Sequence, residues 1–113
     1  MNFTSERPIY LQIADSICES ILSGSLKAGE RILSVREFGA SIGVNPNTVM
    51  RTYERLTADG IIYNRRGIGY FVSEDAREKV LEAERKLFYE KELPSFIHRM
   101  ELLGIDPETL KIK

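Results

Sequence analysis

The chain has 113 residues, of which 42% are hydrophobic and 29% charged, with a formal net charge of -1. That length allows one domain of ordinary size, or a domain near its minimum with a helical tail, and excludes a large enzyme core. No apolar run approaches the roughly 20 residues that cross a bilayer, and Met1 to Thr4 lacks the basic start and apolar stretch of a secretory signal, so a cytoplasmic protein without membrane association is expected.

Residues 1–7 read as a short arm, and Pro8 suits the first turn of a helix that ends at Ser23, before Gly24. Ile9, Ile13, Ile17 and Ile21 recur every four residues with Tyr10 and Ala14 beside them, which makes one face apolar. Cys18 lies on this helix; a single cysteine forms no internal disulfide and reads as a plain small residue, in the core or semi-exposed. Gly29 marks a turn, after which Arg31 to Leu33 is expected to be briefly extended. Ser34 followed three residues later by Glu37 has the form of a capping box, which starts a helix with Val35, Phe38 and Ile42 turned inward and Arg36 outside. Gly43 stops it. Asn45 and Pro46 then supply an N-cap and a proline at the first helical position, so a second helix begins about three residues later. Two helices joined this tightly must cross steeply, which is helix-turn-helix geometry.

The second helix, about Pro46–Asp59, turns Val49, Tyr53 and Leu56 inward with Thr52 beside them. Asn47, Arg51, Glu54 and Arg55 fall on the opposite face. Asn47 and Thr48 can bond base edges or phosphates, and Arg51 can reach guanine or a phosphate. On an isolated helix such a face would simply be solvated; here it sits on the second member of a tight helix pair. Ile61 to Asn64 and Tyr70 to Val72 then read as a hairpin around Arg65–Gly69. Arg65 and Arg66 place positive charge at its tip, and the glycines allow close approach to a phosphate or a minor groove. The pair of glycines is not a nucleotide loop, because a strand follows them and no helix begins there. The charge is uneven: Arg31 to Val72 carries six basic residues (Arg31, Arg36, Arg51, Arg55, Arg65, Arg66) and three acidic ones (Glu37, Glu54, Asp59), a local balance of +3. So moderate a charge implies modest affinity for one copy and useful affinity for two on one DNA.

At these residues the chain resembles the winged-helix domain of the GntR family of bacterial transcription regulators. The resemblance runs from Pro8 to about Ser73 through PIYLQI, SVREF, IGVNPNTV, RTYERLTADGII and RRGIGYFV. It implies a homodimer on a two-fold operator in double-stranded DNA, with the Pro46 helix in the major groove and the wing in the adjacent minor groove. Carried over by position, the contacts are Arg36, then Asn45, Asn47 and Thr48 at the start of the recognition helix, and Arg66 with Gly67 in the wing. The chain departs from the family at Leu33, where a proline is usual, and at Met50, where many members carry a basic residue; that role passes to Arg51.

The tail is expected to be helical from Asp75 to Lys91, with Ala76, Val80, Ala83 and Leu87 on one face and Leu81 and Phe88 alongside. Pro94 is expected to interrupt it, a second apolar-faced helix to span Phe96 to Leu103 through Ile97 and Met100, and Asp106 with Pro107 to cap a last turn. Two faces this apolar need a second subunit, so Val80, Leu81, Leu87, Phe88, Phe96, Ile97, Met100 and Leu103 are expected at a dimer interface. Such a tail is similar to that of the short YtrA-like branch of the family. The expected fold class is therefore mainly α with a small β-hairpin: a winged helix-turn-helix over residues 1–73 and a helical dimerisation tail over 74–113.

Chemistry-bearing clusters are missing from the pattern. His98 is the only histidine and has no partner for a usual zinc site, and Glu82, Glu84, Glu90 and Glu92 read as a solvated helix face. No catalytic role, metal or cofactor is expected. A small effector between Phe88, Phe96 and Met100 is permitted but not indicated. The other function class open to this fold is a winged helix that binds protein or RNA.

Overall fold

In the computed structural model, which describes residue 3 and residues 6–110, helix signals and turn residues place the elements in sequence order. They are α1 (Ile9–Ser23), α2 (Val35–Ile42), α3 (Pro46–Ala58), β1 (Ile62–Arg65), β2 (Gly69–Val72), α4 (Ala76–Leu87), a π-helical turn (Phe88–Glu92), α5 (Leu93–Leu102) and a 3-10 turn (Pro107–Thr109). Residues 1, 2, 4 and 5 of the expected arm lie outside the described residues. Of the rest, Phe3 packs half-buried against the core, and Arg7 is tied to Asp15 of α1 at 2.9 Å. No helix among the described residues is long and apolar enough to cross a membrane.

The chain divides into two units, residues 1–81 and 82–113. In the first, Ile13, Ile17 and Ile21 of α1 meet Val49, Tyr53 and Leu56 of α3, with Ile61, Ile62 and Val72 of the hairpin closing the core. The four-residue isoleucine repeat on α1 thus faces the inward stripe of α3. Each such aliphatic side chain contributes about 1.5–3 kcal/mol by leaving water. Thr52 is fully buried, and its hydroxyl donates to the Tyr10 carbonyl at 2.7 Å, which pins α3 to α1 without leaving a polar atom unsatisfied.

Val35, Phe38 and Ile42 of α2 are only partly buried; its fully buried residue is Gly39. A Cβ there would lie 2.6 Å from the Val44 carbonyl oxygen, which itself follows the turn that the Val44 N–H closes onto Gly39 O at 2.9 Å. Gly39 therefore sets how closely α2 approaches the chain leading into α3. Alanine normally stabilises a helix interior by about 1 kcal/mol over glycine. At this position the backbone must shift to admit a methyl, and a net destabilisation of about 1–3 kcal/mol is expected for Gly39→Ala, measured as a lowered urea midpoint at unchanged m-value.

β1 and β2 pair antiparallel, with Ile62 opposite Val72 and Arg65 opposite Gly69. The extended segment expected at Arg31–Leu33 is reduced to one bridge, Arg31 with Phe71. Backbone bonds from Ile32 N–H to Tyr70 O (3.0 Å) and from Val72 N–H to Glu30 O (2.9 Å) nevertheless fasten it along β2. The hairpin is thereby covered on one edge.

Two expectations about the tail are corrected. Val80 is 1% exposed and belongs, with Ala76, to the core of the first unit, so it is not available to a second subunit; the one-turn spacing from Ala76 puts both on the face that meets that core. Pro94 does not interrupt the helix. The π-helical turn before it closes with a bond from Leu93 N–H to Phe88 O, and Pro94 falls in the first turn of α5. In a regular helix the proline ring would meet the carbonyl four residues back; the widened turn removes that clash. Met100 is also buried, at 5%, whereas Leu87, Phe88, Phe96, Ile97 and Leu103 are exposed and Leu81 is half-buried. Asp106 caps the last turn as expected, its carboxylate accepting from Glu108 N–H at 3.0 Å.

Candidate nucleic-acid interface

The capping box at the start of α2 is complete: Glu37 N–H donates to Ser34 Oγ and Ser34 N–H to Glu37 Oε1, both at 3.1 Å. That backbone bond, followed by the Ser34 hydroxyl, holds the Glu37 carboxyl below its ordinary value. The box is thus intact above the usual carboxylate range and weakens as pH falls through the lowered value. It fixes the first turn of α2 and with it Arg36, the next-but-one residue, which is exposed.

The first turn of α3 is built differently. Pro46 brings no N–H, the Asn45 carboxamide oxygen accepts from Asn47 N–H at 2.8 Å, and Thr48 N–H bonds the Asn45 carbonyl at 2.9 Å. The backbone donors of this turn are therefore engaged within the turn. What it presents outward is side chains: the Asn47 carboxamide is exposed and the Thr48 hydroxyl half-buried, at the positive end of the helix dipole. Asn45 is exposed as well, but its oxygen is committed to the cap, which leaves its NH2 group to donate.

Behind this turn the helix separates cleanly into two faces. Val49, Thr52, Tyr53 and Leu56 are buried, and Asn47, Arg51, Glu54 and Arg55 are exposed. The guanidinium of Arg51 rests over the Tyr10 ring, 4.2 Å from its centroid, a cation–π contact that orients the side chain. Nothing local in the sequence marks that pairing, since Tyr10 is forty-one positions away on α1. Arg55 is paired with Asp59 at 3.1 Å, so its charge is locally balanced.

Tyr53 ties these parts together. It is fully buried, its hydroxyl donates to Leu33 O at 2.6 Å, and its ring meets Phe38 of α2 and Tyr70 of β2 edge-on, at 6.2 and 4.9 Å between centroids. The carbonyl of Leu33, the position at which the chain departs from the family's usual proline, is thus held by the Tyr53 hydroxyl. One side chain of α3 sets the start of α2 and the root of the wing.

In the wing, Ile68 N–H closes the turn onto Arg65 O at 2.9 Å, and Gly67 takes a φ of +78° with open space around it. A side chain there would be strained, so the left-handed turn requires glycine. Arg65 lies back over the Phe71 ring at 5.4 Å, and Phe71 stacks on Tyr63 at 5.8 Å. Arg66 and Gly67 remain at the exposed tip.

A tightly joined helix pair backed by a third helix, with a fastened hairpin beside it and amide, hydroxyl and guanidinium groups turned outward, is a winged helix-turn-helix of the kind that lies against a nucleic-acid duplex. Residues 9–72 match the family described as bacterial regulatory proteins, gntR family. The chain belongs to the GntR family of DNA-binding transcription regulators, which are not enzymes. It is 43% identical over 108 residues to an uncharacterised HTH-type transcriptional regulator, YhcF, of Bacillus subtilis, covering 96% of this chain and 88% of that protein. Against the HTH-type transcriptional repressor YtrA of Bacillus subtilis it is 37% identical over 106 residues, covering 94% and 81%. A GntR family transcriptional regulator from Listeria monocytogenes superposes with a TM-score of 0.79 at 36% identity, covering 95% of this chain and 92% of that one. The likeness therefore extends beyond the winged helix into the tail, as in the YtrA-like branch.

Proposed function

We propose that the protein is a cytoplasmic repressor that binds a two-fold operator as a homodimer, with α3 in the major groove and the Arg65–Gly69 wing in the adjacent minor groove. The observation that carries this is the division of α3 into a wholly buried face and an exposed face that begins with Asn47 and Thr48. Asn47 pairs with a base edge, Thr48 and Arg51 fix the helix to base or phosphate, and Arg36 and Asn45 contact the backbone at the flanks. Arg65, Arg66 and Gly67 approach the minor groove. A repressor among the relatives supports repression, in which the bound dimer occludes the promoter.

The winged helix of residues 1–73 is, in this reading, the DNA-binding part and residues 74–113 carry the dimer contact. Leu87, Phe88, Phe96, Ile97 and Leu103 expose an apolar surface that a monomer leaves in water; pairing with a second copy buries it. Selection of bound fragments from genomic DNA, followed by footprinting, tests the whole reading: a protected site with two-fold symmetry and half-sites about one helical turn apart is expected. An asymmetric footprint, or preferential recovery of RNA or protein, would refute it. The tail is tested separately. Phe96→Glu with Leu103→Glu, both more than half exposed, should convert the dimer to a monomer in sedimentation while leaving the melting of the winged helix in place; an unchanged dimer would assign the contact elsewhere.

A further inference from the structure

The wing tip carries an apolar side chain that neither the core nor the electrostatic reading uses. Ile68 is 50% exposed and stands between Gly67 at φ +78° and Gly69 at φ +140°. Neither neighbour has a Cβ, so the isoleucine projects without shoulders. Its backbone is not loose: its N–H is held by Arg65 O at 2.9 Å, and the strands behind it are paired in register up to Arg65 and Gly69. The Tyr63–Phe71 stack and the Arg65 guanidinium over Phe71 stiffen the hairpin and draw the Arg65 side chain back from the tip. Arg31 adds a buttress, its Nε lying 2.9 Å from where a Gly69 Cβ would be. The result is a rigid hairpin whose foremost groups are one cation, Arg66, one glycine and one branched hydrocarbon.

An exposed β-branched hydrocarbon contributes nothing to phosphate binding and costs solvation. At the tip of an element that enters a minor groove, it has the chemistry of a wedge: apolar side chains placed there slip partly between base pairs, unstack them and bend the duplex away from the protein's minor-groove side. We propose that Ile68 is such a wedge, and that it makes the protein select a flexible pyrimidine–purine step where the wing meets the minor groove. These steps unstack most cheaply, so the selectivity comes from deformation and needs no hydrogen bond to a base edge. Arg66, beside the wedge, pairs with a phosphate on the rim of the opened minor groove. This rests on the proposed placement of the wing in the minor groove.

The test uses the full-length dimer and a duplex carrying its selected site, with the step under the wing set to TA, CA or AA. Bending is read from fluorescence transfer between labelled duplex ends, and affinity from anisotropy. The wild type is expected to bend the duplex by tens of degrees, in the range of about 20–90°, and to prefer TA or CA over AA by about tenfold. Ile68→Ala should at least halve the bend and erase the step preference at unchanged melting temperature, while Ile68→Leu retains both. Loss of all binding in Ile68→Ala with rescue by Ile68→Leu also supports the wedge; equal loss in both refutes it. An unaltered bend and preference in Ile68→Ala overturns the proposal, as does a wild type that binds its site without bending it, and in that case the groove assignment stands. A wild type that binds no duplex removes the groove assignment and the wedge together.

Discussion

Asn47→Ala combined with Arg66→Ala is expected to lower operator affinity by about a thousandfold or more while the dimer and its melting temperature stay as they are. Asn47 is the exposed carboxamide on the first turn of α3, with its backbone N–H already spent on Asn45. Its side chain is therefore free to read a base, a contact worth about 1–3 kcal/mol per half-site. Arg66 is exposed at the wing tip, and losing it removes one phosphate neutralisation per subunit. Both losses occur twice in a dimer, and the two positions lie on different elements, so the terms add. The two residues are distinguishable by salt. Removing Arg66 should reduce the slope of log affinity against log salt by about two, one for each subunit, whereas Asn47→Ala should leave the slope unchanged and relax the choice of one base per half-site. Neither side chain enters the core, so the cost to stability should stay within about 0.5 kcal/mol. Anisotropy titrations over a series of salt concentrations measure both quantities; full affinity in the double variant would displace the interface from α3 and the wing.

Tyr53→Ala should destabilise the first unit by about 3–5 kcal/mol, a large part of the total stability of a small domain. The cavity opens at the point where α3, the start of α2 and the wing root meet, because the ring touches Phe38 and Tyr70. Tyr53→Phe keeps the ring and removes only the hydroxyl, which leaves the Leu33 carbonyl without the bond now 2.6 Å long. About 1–2 kcal/mol is expected for that change. The same hydroxyl gives a pH signature. Burial pushes the Tyr53 phenol well above its ordinary value, and the negative charges available to Tyr70 and Glu37 add to the shift. The folded pKa is raised, so the stabilisation is fully present below the unfolded value near 10 and is lost as pH rises from there toward the folded value. Urea unfolding at pH 7 and at successive points above pH 10 should show the wild type losing stability that Tyr53→Phe does not lose. Parallel alkaline curves for the two proteins would show that the phenol is not the group responsible.

Much of this molecule follows from signals only a few residues long. The Ser34–Glu37 box, the Asn45–Pro46 start, the glycines after α1 and α2 and the Arg65–Gly69 turn act through bonds between near neighbours, or through φ angles that one residue type tolerates. They specified the helix pair, its hairpin and the exposed face of α3, because each can be evaluated without knowing where the chain goes next. Other features depend on partners far away in sequence. The reason for a glycine at position 39, inside α2, is visible only in the fold, where Val44 O lies 2.6 Å from the place its Cβ would take. Arg51 reads as a DNA-contacting cation with no partner of its own until Tyr10 lies beneath it, and Val80 as a dimer-interface residue until the core of the first unit closes over it. Pro94 reads as a break, and only the π-helical turn before it lets the helix pass. The local backbone was legible because its energetics are short-ranged. The close approach of α2 at Gly39, the anchoring of Arg51 and the division of the tail between core and exposed surface were decided by tertiary packing, where the energy of a side chain belongs to whatever the fold has brought against it.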